Sequence, residues 1–100
     1  MSQISRNGIS LATRFEVVPK ATLKHLGENE GGVLLKLDSG EMFTVNDTTV
    51  ALLGELNGSN SLSDIAKRLS ETFDVEMATL ESDLVEIADD LMDQQLIRKV

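Results

Sequence analysis

The chain has no cysteine, no tryptophan and no tyrosine, and carries one proline (Pro19), one histidine (His25) and three phenylalanines. Each shortage closes a class of function. Without Cys there is neither a disulfide framework nor a thiolate metal site. A single His rules out His-cluster metal sites and leaves His25 as the one imidazole that could serve a serine nucleophile as base. His25 falls in an expected strand or loop and reads as a surface residue. Calcium-loop spacing and a glycine-rich phosphate loop are both missing. Gly31-Gly32 is a lone pair that signals only loop flexibility. No catalytic residue, metal ligand or cofactor-binding motif is expected. No apolar run approaches the roughly 20 residues needed to cross a bilayer, so no membrane partner is expected. The segment from Met1 to Arg14 lacks a signal-peptide core, which makes the cytoplasm the expected location.

Basic charge is also scarce. Nine Lys and Arg face seventeen Asp and Glu over 100 residues, a formal net charge of −8. The imbalance is local. Residues 1–40 are nearly neutral, whereas residues 41–100 hold thirteen acidic and four basic side chains. Such a surface repels phosphate backbones and suits a basic partner. What remains, 41% hydrophobic and 26% charged, is ordinary for one globular domain with one modest core.

The organising stretch is Val33 to Leu56. Val33-Leu34-Leu35-Lys36-Leu37 is strand-length and apolar, Asp38-Ser39-Gly40 supplies turn residues, and Met42-Phe43-Thr44-Val45 is the returning strand. Asn46 then offers an N-cap, and Val50, Leu53 and Leu56 repeat with helical spacing. Upstream, Thr22 to Leu26 reads as a weak first strand, giving an antiparallel meander with Glu41 to Val45 at its edge. Residues 1–18 read as a flexible tail ending near Pro19, and 19–100 as the folded domain. Downstream, Gly58 suits the left-handed position after the first helix. Ser61 with Asp64 resembles a capping box for a second helix through about Glu71. Met77 to Gln94 forms a third helix, and Leu96 to Val100 an extended close. The fold class is α+β: an N-terminal three-stranded antiparallel sheet packed on a three-helix winged helix-turn-helix core.

The third helix has a core seam of Leu80, Leu84, Ile87 and Leu91, spaced at about 100° per residue. A second line, Glu81, Val85, Ala88 and Met92, widens the apolar arc. It either packs on the sheet and the other helices or floors a groove beside the edge strand. Asp83, Glu86, Asp89, Asp90 and Asp93 fall on the opposite, solvent face. A winged helix invites DNA binding, but this helix contains no Arg or Lys and six acidic residues, so no nucleic-acid partner is expected. By elimination the chain is a binding module.

The residues Phe43-Thr44-Val45-Asn46, Leu52-Leu53, Leu56-Asn57-Gly58, Ser61-Leu62-Ser63-Asp64-Ile65-Ala66, Leu69, Phe73-Asp74-Val75, Asp83-Leu84, Leu91 and Leu96-Ile97 form an ordered pattern. In that order they resemble the family of coenzyme PQQ synthesis protein D, PqqD, and the wider set of PqqD-like peptide recognition elements. The resemblance spans about Leu23 to Ile97. It departs from PqqD proper in the middle hairpin, where Asp38-Ser39-Gly40-Glu41 stands in place of a Pro-Glu-bearing segment. It implies a non-catalytic adaptor that binds the leader of a ribosomally made precursor peptide and presents it to a modifying enzyme, often of radical SAM type. The leader would add as a strand to Glu41, Met42, Phe43, Thr44 and Val45 and rest in the cleft against the third helix, Met77 to Gln94. The residues agree on two points independently. An edge strand offers unpaired backbone groups to an extended peptide, and the line Val85, Ala88 and Met92 can supply pockets for its alternate side chains. Glu81 and the acidic face would favour a basic residue in the guest. An alternative expectation is a structural or regulatory protein–protein module that self-associates through the same edge, so the chain is expected as a monomer or a homodimer.

Overall fold

The computed structural model describes residues 5, 7–28 and 30–100. Residues 1–4 and 6 of the expected tail, and residue 29 of the expected loop, lie outside the described residues. The elements run β1 (Arg14–Val17), β2 (Ala21–His25), β3 (Gly32–Lys36), β4 (Met42–Val45), α1 (Asp47–Glu55), β5 (Asn57–Ser61), α2 (Leu62–Leu69), α3 (Met77–Asp93) and β6 (Ile97–Lys99). The class is α+β, with two three-stranded antiparallel sheets rather than the single one expected. β2-β3-β4 is the anticipated meander, and β5-β1-β6 is a second sheet.

The second sheet corrects the reading of residues 1–18 as a tail. Its middle strand is β1, whose Phe15 is fully buried and whose pairing to β6 sets Phe15 opposite Lys99 and Val17 opposite Ile97. A four-residue strand with one inward aromatic is too short to show an alternation, so its hydrophobic signal is a single residue. β5 has no apolar residue at all. It is held by pairing with β1, by Arg14 Nε donating to Ser59 O at 3.0 Å, and by Asn57 Oδ1 accepting from Ser59 N at 2.9 Å. Gly58 does take a positive φ of 82°, but inside β5 rather than as a cap of α1. Upstream of β1, Ser5 and Asn7 are tied to α3. Asp89, expected on the solvent face, is only 2% exposed. Its carboxylate accepts from Ser5 Oγ at 2.7 Å, Asn7 N at 3.1 Å and Asn7 Nδ2 at 3.0 Å, which meets the need of a buried polar group for partners.

In the meander, Leu34 of β3 is fully buried and lies between Leu23 of β2 and Phe43 of β4. That row packs inward, while the alternate residues face outward; Met42 is 68% exposed. The junction from β4 into α1 forms as its residues suggest. Asn46 Oδ1 accepts from Thr49 N at 2.9 Å, ending the strand and starting the helix at once.

A second device at this junction corrects the reading of Gly31-Gly32 as merely flexible. Gly31 is buried, has φ 70°, and donates its N–H to Asp47 Oδ1 at 2.8 Å. A Cβ on Gly31 would stand 2.2 Å from the Val45 carbonyl oxygen, so only glycine lets the loop cross the end of β4 this closely.

The helices share one core with the inward faces of both sheets. Ser61 and Asp64 complete the expected capping box: Asp64 N donates to Ser61 Oγ at 3.2 Å and Ser61 N to Asp64 Oδ2 at 3.1 Å. The Ser61 backbone N–H, then its hydroxyl, hold the Asp64 carboxyl below the ordinary value of 3.8. α2 then buries Leu62, Ile65, Ala66 and Leu69 against the α3 seam. Leu62 and Ile65, fully buried, contribute about 1.5–3 kcal/mol each. Gln94 caps α3, and Gln95, at φ 60°, turns the chain into β6.

Candidate functional site

β4 has one sheet neighbour, β3, and its other edge is unpaired among the described residues. In an antiparallel pair, alternate residues point both backbone groups at the partner strand. Lys36 N donates to Glu41 O at 2.8 Å, in register with Leu34 opposite Phe43 and Gly32 opposite Val45. Phe43 and Val45 therefore turn their N–H and C=O groups toward β3. Met42 and Thr44 turn theirs outward, so the open edge is a pair of donor–acceptor sets two residues apart.

Beside this edge runs a cleft of about 330 Å3 lined by Phe43, Thr44, Val45, Asn46 and Thr49 on one side and Ile87, Asp90, Leu91, Gln94 and Leu96 on the other. Its floor is mainly apolar. A second cleft of about 300 Å3, lined by Asn46, Thr48, Asp83, Glu86, Ile87 and Asp90, continues from it toward the middle of α3. Asn46, Ile87 and Asp90 border both, so the two form one groove. A ligand site of this form joins an apolar floor, which supplies affinity, to a few polar groups that orient the guest.

The residues expected at the site divide sharply. Phe43, Thr44 and Val45 line the groove. Met42 contributes its backbone to the edge, while its side chain stands on the outer face of the sheet. Glu41 lies just before the strand, its carboxylate accepting from Ser39 Oγ at 3.1 Å, and lines neither cleft. On α3 the expected pocket line lies on the flank away from this groove. Val85 and Ala88 are buried in the core, while Glu81 and Met92 are half-buried, and none of the four borders the groove. Val85 and Ala88 join the core into which α2 also packs, and Ser5 and Asn7 reach α3 at Asp89.

The groove instead uses the other flank of the Leu80–Leu91 seam, where Ile87 and Leu91 adjoin Asp83, Glu86, Asp90 and Gln94. A signal for it was present: Ile87 is a seam residue bordered on the helix surface by Asp83 and Asp90, one turn either side. The acidic face thus becomes the wall of the groove. Among the described residues no cation lies within ion-pair distance of Asp83 or Glu86. His25 is exposed on β2, opposite Gly32. Among the described residues no three His, Cys, Asp or Glu side chains gather as a metal site, and no helix is long and apolar enough to cross a membrane.

A family model for coenzyme PQQ synthesis protein D, PqqD, matches residues 31–97, from the glycine that crosses β4 to the first residue of β6. The chain belongs to the PqqD family. The match takes in every residue that borders the groove and leaves β1 outside it. No curated protein matches the sequence. Among solved structures, this PqqD-family chain is similar to a lasso peptide synthetase B1 complexed with its leader peptide, with a TM-score of 0.72 and 26% identity over 85% of this chain and 98% of that one. Two more distant likenesses concern the fold alone. The PqqD truncation of Methylobacterium extorquens PqqCD, described as a functional and stand-alone RiPP recognition element, gives a TM-score of 0.77 at 24% identity over 91% of this chain and 95% of that one. TbiB1 in complex with the TbiA(beta) leader peptide gives 0.71 at 19% identity, covering 83% and 94%.

Proposed function

We propose that the chain is a non-catalytic adaptor: it binds the leader of a ribosomally made precursor peptide and presents it to the enzyme that modifies that peptide, of radical SAM type. The observation that carries this is the unpaired edge of β4 beside an apolar groove, in a PqqD-family chain whose 26%-identical structural relative is complexed with a leader peptide. An extended leader would take backbone hydrogen bonds from Met42 and Thr44 and lay alternate side chains into the groove. The order α1, α2, α3, β6 supports reading the helical half as a winged helix-turn-helix that serves as a rigid backing for α3. Glu81, Val85, Ala88 and Met92 set the tilt of α3 from behind, while Ile87, Leu91 and Gln94 meet the guest.

The test is an NMR titration of the labelled protein with leader segments of precursor reading frames that neighbour its gene. Shifts are expected at residues 42–46 and on the Ile87–Gln94 flank of α3. Shifts confined to residues 1–18 would overturn the reading. Sedimentation at two concentrations separates a monomer with an open edge from a dimer in which β4 is already paired.

A further inference from the structure

The groove is not uniform along its length. At one end Phe43, Leu91 and Leu96 make an apolar pocket; at the other, beyond Asn46, Asp83 and Glu86 stand over a mostly polar one. We infer that the guest strand carries an apolar side chain and, two to four residues away on the same face, a lysine or arginine. This rests on the strand-addition reading above and deepens it.

The spacing follows from two rises. Leu91 is five residues from Glu86 and eight from Asp83 on α3, which places the carboxylates about 8–12 Å along the helix axis from the apolar pocket. On an extended strand, same-face residues recur every ~7 Å, so the second or fourth residue from the apolar anchor reaches that distance. The direction also follows. β4 runs from Met42 toward Asn46, so the acidic end lies past its C-terminal end. A guest antiparallel to β4 carries its basic residue N-terminal to the apolar one, and a parallel guest the reverse.

Charge complementarity selects the occupant. Asp83 and Glu86 are exposed and meet no cation among the described residues, in a chain of net charge −8. An acidic side chain in the guest meets like charge there, and a neutral one leaves the carboxylates to water. The preference is set at the groove rim, where pairs are solvated and weak singly, so it sharpens selection without supplying most of the affinity.

The experiment uses blocked synthetic peptides of about nine residues, built on a Thr-rich strand with one leucine anchor and, in three variants, Lys, Gln or Glu at both positions two residues from it, so that either strand direction presents the varied side chain to the acidic end. Binding is read from shifts of the Met42 and Thr44 amides in the full chain. The Lys peptide is expected to bind about fivefold more tightly than the Gln peptide, and the Glu peptide most weakly. The difference should shrink in high salt and in the double variant Asp83→Asn, Glu86→Gln. Glu86→Lys should turn the order round in favour of the Glu peptide. If all three peptides perturb Met42 and Thr44 with equal affinity, the charge inference fails and strand addition stands. If none perturbs those amides at millimolar concentration, strand addition itself is overturned.

Discussion

Replacing Gly31 by alanine tests whether the loop before β3 fixes the end of β4, the strand proposed to take the leader. Two costs add. An L-residue at φ 70° pays about 1–2 kcal/mol for the left-handed conformation. The new Cβ would also meet the Val45 carbonyl oxygen at 2.2 Å, backbone that cannot swing aside as a side chain can. Relieving such an overlap by moving packed segments costs about 1–3 kcal/mol more. The sum, about 2–5 kcal/mol, is a large part of the stability of a domain this size, which runs to about 5–15 kcal/mol. Gly40 is the internal control. Its φ is 76°, and a Cβ there meets nothing within 4 Å, so Gly40→Ala keeps the first cost and lacks the second. Urea unfolding of the two variants is the assay. Gly31→Ala should lose at least 1 kcal/mol more than Gly40→Ala, with equal m-values. Equal losses would show that Gly31 does not press on the β4 backbone, and the coupling of that loop to the binding edge would fall with it.

Three further outcomes follow from the same geometry. Phe15→Ala, in the strand outside the family match, should destabilise the domain by about 3–5 kcal/mol in urea unfolding, because it empties a fully buried position in the middle strand of the second sheet. Acid unfolding should show the Asp64 carboxylate: its folded value is depressed, so its contribution is fully present above the unfolded value and is lost as pH falls through the folded value below 3.8. Asp64→Asn should therefore flatten the pH dependence of stability in that range. Thr44→Pro removes an outward N–H that no β3 group uses. It should leave the fold intact by circular dichroism and weaken leader binding about fivefold, the worth of roughly 1 kcal/mol for one backbone hydrogen bond.

The pieces legible in the sequence are those with a local chemical signature. The β3–β4 hairpin, the Asn46 cap, the Ser61–Asp64 box and the α3 seam each rest on a few neighbouring residues with a defined hydrogen-bond or burial role, and each is present. The second sheet was hidden because its strands have little of their own to show. β1 holds one aromatic, and β5, Asn57-Gly58-Ser59-Asn60-Ser61, has only polar and glycine residues; both are set by long-range pairing.

Val85, Ala88 and Met92 carried two expectations, packing in the core or flooring a groove; Val85 and Ala88 are buried, and none of the three lines the groove beside β4. The groove opens instead at Ile87 and its acidic neighbours, on the other flank of the seam. The role of Gly31 is not legible in the sequence, since a glycine pair carries no mark of which backbone passes close to it. The edge strand itself was legible, because alternation and the abrupt stop at Asn46 place β4 last in its sheet.

The central claim is that an extended leader pairs with the open edge of β4, and amide hydrogen exchange reads it directly. Phe43 and Val45 face β3, so their amides should be protected in the free protein, while those of Met42 and Thr44 exchange readily. On saturation with leader peptide, Met42 and Thr44 should gain protection as a pair, with Phe43 and Val45 little changed. Protection gained elsewhere with Met42 and Thr44 still open to solvent would contradict the account.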